Sequence, residues 1–159
     1  MSAKKILIGI DPGSSSGGLF IIIIPDDKDL RTFYAGYEFK KMTEKDIFER
    51  IYNVTGENTT ALIERVHSMP KQGVSSAFKF GENYGFLRGI LTALKIPYRE
   101  VTPQTWIKYY GMKKEKEESK TDWKRRLRQK AEKLFPDVKI TANTADALLI
   151  ANYLNNIIL

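Results

Sequence analysis

The sequence predicts an α/β fold with a central mixed five-stranded sheet flanked by helices, and three patterns predict it. Three apolar or alternating runs near the N-terminus follow one another across short turns, as in an antiparallel meander. A helical stripe then precedes a further apolar run, the pattern of a crossover helix leading into another strand. A long helical stripe leads into a fifth short strand, and the remainder reads as helix. The 159 residues suit one domain, 1–159, large enough to bury a core without disulfide or metal staples.

The first strand is the β-branched run from Lys4 to Ile10, fit for burial on both faces, and Gly18 to Ile24 is the second. Pro25-Asp26-Asp27 ends it as a turn. From Thr32 to Phe39 the pattern alternates, with Phe33, Ala35, Tyr37 and Phe39 on one face and Tyr34 and Glu38 on the other. Thr43 with Asp46 three residues on marks a helix N-terminus, and Ile47, Ile51 and Val54 give its apolar stripe before Gly56 closes it. The run "TALIE", Thr60 to Glu64, is the fourth strand.

Phe80, Tyr84, Leu87, Leu91 and Leu94 recur at helical spacing, so a long helix is expected from about Ser76 to Leu94. It carries Gly81, Gly85 and Gly89 on one face. Each interior glycine costs about 1 kcal/mol against alanine, so the row implies close approach to a sheet, another helix or a sugar-phosphate backbone. Tyr98 to Val101 is the fifth strand, and Thr102-Pro103 opens a helix that Gly111 ends. The charged segment "KKEKEESK", 113–120, reads as a loop or helix start between elements. Trp123, Leu127, Ala131 and Leu134 mark a basic helix that Pro136 stops, and a last apolar helix begins near Ala142 and buries Ala147, Ile150, Ala151, Leu154 and Ile158.

Composition narrows the chemistry. No cysteine is present, which excludes disulfides, thiol catalysis and cysteine-ligated zinc, and the single histidine, His67, argues against a Ser-His-Asp triad or a histidine metal site. Catalysis would have to rest on carboxylates. The net charge of +7 attracts polyanions, with nucleic acid first among them. The six-residue run "LFIIII" is far short of the ~20 residues that span a bilayer, so a soluble, cytoplasmic protein with no membrane partner is expected.

Asp11 and Glu64 each end a buried strand, and Asp146 falls in the first turns of the last helix. Ligands bind at such strand ends in α/β sheets. If the two strands are neighbours, the carboxylates lie close together and repel unless a cation neutralises them. Mg²⁺ suits such a cluster, and two ions about 3.5–4 Å apart can activate a water and stabilise the leaving oxygen of a phosphodiester. Each residue also has a plainer reading: Asp11 opening a turn at Pro12-Gly13, Glu64 as an ordinary strand end, Asp146 complementing the helix dipole.

Three segments resemble, in order, motifs of the RuvC family of Holliday junction resolvases, especially its phage-type branch: "IGIDPGSSSGG", "ALIERVHSMPKQGVSSAFKFGENYGFLRGIL" and "LFPDVKITANTADALLIANY". The resemblance implies an RNase H-like fold and a homodimer that uses two Mg²⁺ ions per site, or Mn²⁺, to nick opposed strands of a four-way junction. It assigns Asp11, Glu64 and Asp146 as catalytic metal ligands and puts Asn143 where the family has a fourth acid. An i, i+3 pair on the last helix would point Asn143 and Asp146 the same way. The amide oxygen can still bind a metal but adds no charge and accepts no proton. Asn143 is then a natural neutral ligand, a helix N-cap with a carboxylate such as Asp137 serving instead, or an introduced amide that disables the site.

By the same resemblance Lys120 matches a family lysine near the reacting phosphate. His67 takes the position of an aromatic inserted at the junction centre, with Met69 and Phe78 as other wedges; a satisfied loop histidine is the plainer reading. Lys71, Gln72, Ser75 and Lys79 complete that DNA-facing region, while Lys108, Lys113, Lys114, Lys124, Arg125 and Arg128 are candidates for flanking phosphates or merely a solvated basic face. Rival functions are a related nuclease acting on ribosomal RNA precursors or on flapped DNA, and a module that recognises junctions without cutting. The DPGSS turn also resembles the phosphate loop of actin-like ATPases, which need two such domains.

Overall fold

The computed structural model describes residues 4–67 and 70–158. The first apolar run is β1 (Lys4–Asp11), followed by β2 (Gly18–Pro25) and β3 (Phe33–Glu38). A single 3₁₀ turn, Phe39–Lys41, leads to α1 (Glu44–Tyr52). Its N-terminus is a reciprocal capping box: the Thr43 hydroxyl accepts from the Asp46 N–H, and the Thr43 N–H donates to the Asp46 carboxylate at 2.7 Å. Then come β4 (Thr59–Glu64), α2 (Val74–Ala93), β5 (Tyr98–Val101), α3 (Pro103–Tyr109), α4 (Lys120–Leu134) and α5 (Ala145–Ile157).

The strands form one sheet in the order β3-β2-β1-β4-β5. The meander β1–β2–β3 is antiparallel, and β4 and β5 join it parallel to β1. The expected mixed sheet is therefore present, with β1 at its centre.

Alternation along the strands divides the interior into two cores. Ile6, Ile8 and Ile10 of β1 face α1 and α2, packing with Ile47, Ile51, Leu87 and Leu91. Leu7 faces the other way, toward Trp106, Leu127 and the apolar stripe of α5. Gly9 shares that second face. A Cβ there would lie 2.1 Å from the Ala147 carbonyl oxygen and 2.5 Å from the Ala151 nitrogen, so only glycine lets α5 cross this closely over β1. Asp11, two residues farther on the same face, is thereby carried to the start of α5.

Two expectations change. Residues 141–144 form a turn closed by the Thr144 hydroxyl accepting from the Thr141 N–H at 2.9 Å, so α5 begins at Ala145 rather than near Ala142. Asn143 is in that turn, off the helix. The glycine row is not explained by packing among the described residues, where a Cβ at Gly81, Gly85 or Gly89 meets nothing within 4 Å. Val74, 88% exposed, and Phe78, 66% exposed, continue that outward stripe of α2.

Candidate active site

The C-terminal ends of β1 and β4 meet the start of α5 beneath a cleft of about 820 Å³. Ile10 pairs with Ile63, which places Asp11 and Glu64 side by side at the ends of parallel neighbours. Leu62 faces the α3–α5 core and Glu64 follows it on the same face, so both acids point toward the helix that carries Asp146. Asp11 is 8% exposed and Asp146 4%.

Such crowding is electrostatically costly. Burial, and then the Asp146 charge, raises the Asp11 carboxyl well above the ordinary carboxylate range. Burial pushes Glu64 up to about 7, against the indole of Trp106, which donates to Glu64 Oε2 at 2.7 Å and favours the charged form. Asp146 Oδ1 is buried with no hydrogen-bond partner among the described residues.

Lys124 answers part of this charge. Its ammonium reaches in from α4 to an ion pair with Asp146 and lies 3.9 Å from Asp11 Oδ2. Burial opposes the charge on Lys124, but Asp146 and Asp11 outweigh it and raise its pKa above the usual lysine value. The cation expected on a flanking phosphate thus sits among the carboxylates, while Lys120, expected near the reacting phosphate, is exposed on the first turn of α4 at the cleft wall.

The turn after β1 is held by two features. Gly13 has φ +134°, a conformation that L side chains rarely adopt, and its N–H donates to Asn83 Oδ1 of α2 at 2.8 Å. Ser14, Ser15 and Ser16 then line the cleft mouth.

Asn143 also lines the cleft with Asp11 and Glu64, but from the 141–144 turn, so the i, i+3 helical pairing with Asp146 does not occur. Nor is Asn143 the N-cap, a position Thr144 holds without a side-chain cap bond. Asp137 is exposed and is not among the residues lining the cleft. The cleft gathers Gln72, Lys79, Lys120, Lys124, Arg125 and Arg128 from the expected DNA contacts. His67, Lys71, Ser75, Lys108, Lys113 and Lys114 are exposed outside its walls, and Met69 lies outside the described residues.

Three participants escaped sequence reading. Trp106 matched only the pattern of a core aromatic, Asn83 had no motif, and Lys124 was one of several lysines and arginines on a basic helix. Trp106 belongs to a longer brace: its ring meets Tyr110 edge-on, Tyr110 donates to the Leu149 carbonyl at 2.6 Å, and Asn152 donates to the Tyr110 hydroxyl at 2.9 Å. The α3 segment thereby ties Glu64 to α5.

Among solved structures, T. thermophilus RuvC in complex with a Holliday junction substrate superposes with a TM-score of 0.58 at 16% identity, over 92% of this chain and 90% of that one. The chain has the fold of the RuvC resolvases. Thermus thermophilus RuvC alone gives a TM-score of 0.53 at 15% identity over the same shares. The fowlpox virus resolvase in complex with substrate Holliday junction DNA gives 0.55 at 12% identity, over 97% of this chain and 99% of that one. No family model and no curated protein sequence matches. In this RuvC-like, RNase H-like fold the acids stand at the ends of the two central parallel strands and on the helix that crosses them.

Proposed function

We propose that the chain is a Holliday junction resolvase, a Mg²⁺-dependent endonuclease that nicks four-way and other branched DNA as a homodimer. The carrying observation is that Asp11 and Glu64 line a cleft together with Lys79, Lys120, Arg125 and Arg128, with the buried Asp146 joined to Asp11 through Lys124 behind them, on a fold similar to resolvases solved with junction DNA. Among the described residues no three acidic or histidine side chains converge as a metal-holding group, and the Lys124 ammonium pairs with Asp146 and lies 3.9 Å from Asp11. The donor set nevertheless suits a hard divalent cation: the carboxylates are crowded, Asp11 and Asp146 are buried, and Asp146 Oδ1 has no hydrogen-bond partner among the described residues.

Asp11, Glu64 and Asp146 would hold the ions, with the Asn143 amide oxygen as a neutral fourth ligand. Bound there, Mg²⁺ or Mn²⁺ supplies Lewis-acid stabilisation of the phosphoryl oxygens and lowers the cost of deprotonating the attacking water. The Trp106 indole fixes the rotation of the Glu64 carboxylate. Lys124 places a positive charge where negative charge develops on the phosphoryl group, and Lys120 adds a second at the cleft wall. His67, exposed on the loop after β4, is free to stack at the junction centre.

Incubating four-way, three-way and linear DNA with Mn²⁺ tests this reading. Preferential paired nicking of the four-way junction is expected; equal cutting of all three would favour a general nuclease. Tight junction binding without cutting would favour a recognition module, the reading that Asn143 supports because it leaves the site one carboxylate short.

Trp106→Phe keeps most of the ring packing and removes the donor to Glu64. We expect divalent affinity to fall about 10–100-fold, the usual cost of losing a residue that orients a ligand. Calorimetric titration with Mn²⁺ reads this directly, and unchanged affinity would deny the orienting role.

The outward stripe Val74, Phe78, Gly81, Gly85 and Gly89 on α2 supports dimerisation through this helix, because the absent side chains let a second backbone approach and the apolar ones gain burial. Gly85→Leu should therefore shift sedimentation toward the monomer and replace paired cuts by single nicks. A dimer unaffected by this change would place the interface elsewhere.

A further inference from the structure

A second cleft, of about 590 Å³, runs along the outer edge of β3 between Arg50 of α1 and Lys139 of the segment before the 141–144 turn. None of the candidate DNA contacts from the sequence lines it. It shares one wall with the catalytic cleft: Ala142 and Asn143 line the catalytic side of the turn, Thr141 and Thr144 the other.

Strand register sets the distance between the two. Asp11 pairs with Gly18, which pairs with Glu38, and Glu38 lines the second cleft. Two strand spacings amount to about 10 Å. A DNA strand rises about 3.4 Å per nucleotide but winds around its axis, so successive phosphates stand about 6–7 Å apart, and a backbone whose scissile phosphate lies at Asp11 reaches the second cleft about one to two nucleotides away.

Three cations, Lys41, Arg50 and Lys139, and two carboxylates, Glu38 and Asp46, line this cleft, which leaves one positive charge in excess. Glu38 is engaged by Lys41 at 2.8 Å and Lys40 at 4.0 Å, while Asp46, capped by Thr43, keeps its charge within reach of Arg50 one turn away. Arg50 lies over the Tyr37 ring, 4.9 Å from its centroid. Among the described residues neither Arg50 nor Lys139 has an ion-pair partner. Both are exposed.

We propose that the β3-edge cleft is a second phosphate-binding site, in which Arg50 and Lys139 hold the DNA backbone about one to two nucleotides from the scissile phosphate. The register rests on the nuclease reading above, but contact with a phosphate requires no branch. An open strand edge can alternatively accept an added peptide strand, and the test separates the two ligands.

The R50Q/K139Q variant of this chain is compared with the unsubstituted chain for binding to a four-way junction and to a linear duplex of equal length, in Ca²⁺, over a series of KCl concentrations. Two lost phosphate contacts should reduce the slope of log K against log salt by about 1.8 on both DNAs. Ethylation interference about one to two nucleotides from the cut, present with wild type, should disappear. An unchanged slope together with an unchanged interference pattern overturns the proposal and leaves the cleft to a peptide. Because the duplex is measured beside the junction, a protein without junction preference sinks the resolvase reading while the slopes still decide the cleft.

Discussion

Asp11→Asn should abolish Mg²⁺-dependent cleavage, by about 10³-fold or more, while making the metal-free protein more stable. The two effects have one cause. Asp11 is 8% exposed, lies beside Asp146, and reaches the Lys124 ammonium only at 3.9 Å. Burial raises its folded pKa well above the unfolded value of about 3.9. A carboxyl shifted this way contributes stability that is fully present below the unfolded pKa and is lost as pH rises toward the folded one. The amide has the same shape and carries no charge to bury. At pH 7.5 the variant should therefore melt higher, by on the order of 1 kcal/mol or 2–4 °C, and the difference should vanish below about pH 4. Thermal melts in chelator across that pH range, paired with a junction cleavage assay, read both halves. A variant that loses activity and melts lower at pH 7.5 would show that Asp11 is paid for by contacts beyond Lys124, and retained cleavage would remove Asp11 from the chemistry.

Asn143→Asp should act in the opposite direction on both counts. Asn143 is half-buried, lines the cleft with Asp11 and Glu64, and reaches it from a turn rather than a helix. A carboxylate there adds the fourth negative ligand and a proton acceptor, for which an increase in cleavage of about 10²-fold or more is expected. It also adds a fourth acid to a crowded cluster, so the metal-free protein should melt lower and recover with Mg²⁺, a gain larger than wild type shows. Equal cleavage rates with equal Mg²⁺-induced shifts would establish the amide as a sufficient ligand.

Much of this was legible along the chain. The continuous apolar runs Lys4 to Ile10 and "TALIE" placed Asp11 and Glu64 at the ends of buried strands, because apolar run length and its termination are local properties of a strand. The order of runs and helices gave the sheet its mixed character, and the Thr43–Asp46 and Thr102-Pro103 signals fell where α1 and α3 begin. The start of α5 was misplaced because its boundary is decided by hydrogen bonds within the 141–144 turn, which leave Asn143 outside the helix. The glycines of α2 implied close packing, yet a Cβ added at Gly81, Gly85 or Gly89 meets nothing within 4 Å among the described residues.

The pairings within the site belong to tertiary structure. Sequence could name Lys124 only as one basic residue among many on α4, since its meeting with Asp146 spans 22 positions and depends on how α4 lies across α5. Trp106 reaches Glu64 across 42 positions, and Asn83 reaches Gly13 across 70. The sequence by itself determined which acids end the strands and that the protein is basic. Only the folded sheet, with α5 drawn against Gly9, decided that those acids share one buried, under-neutralised space, because charge repulsion and desolvation depend on distance in space rather than along the chain.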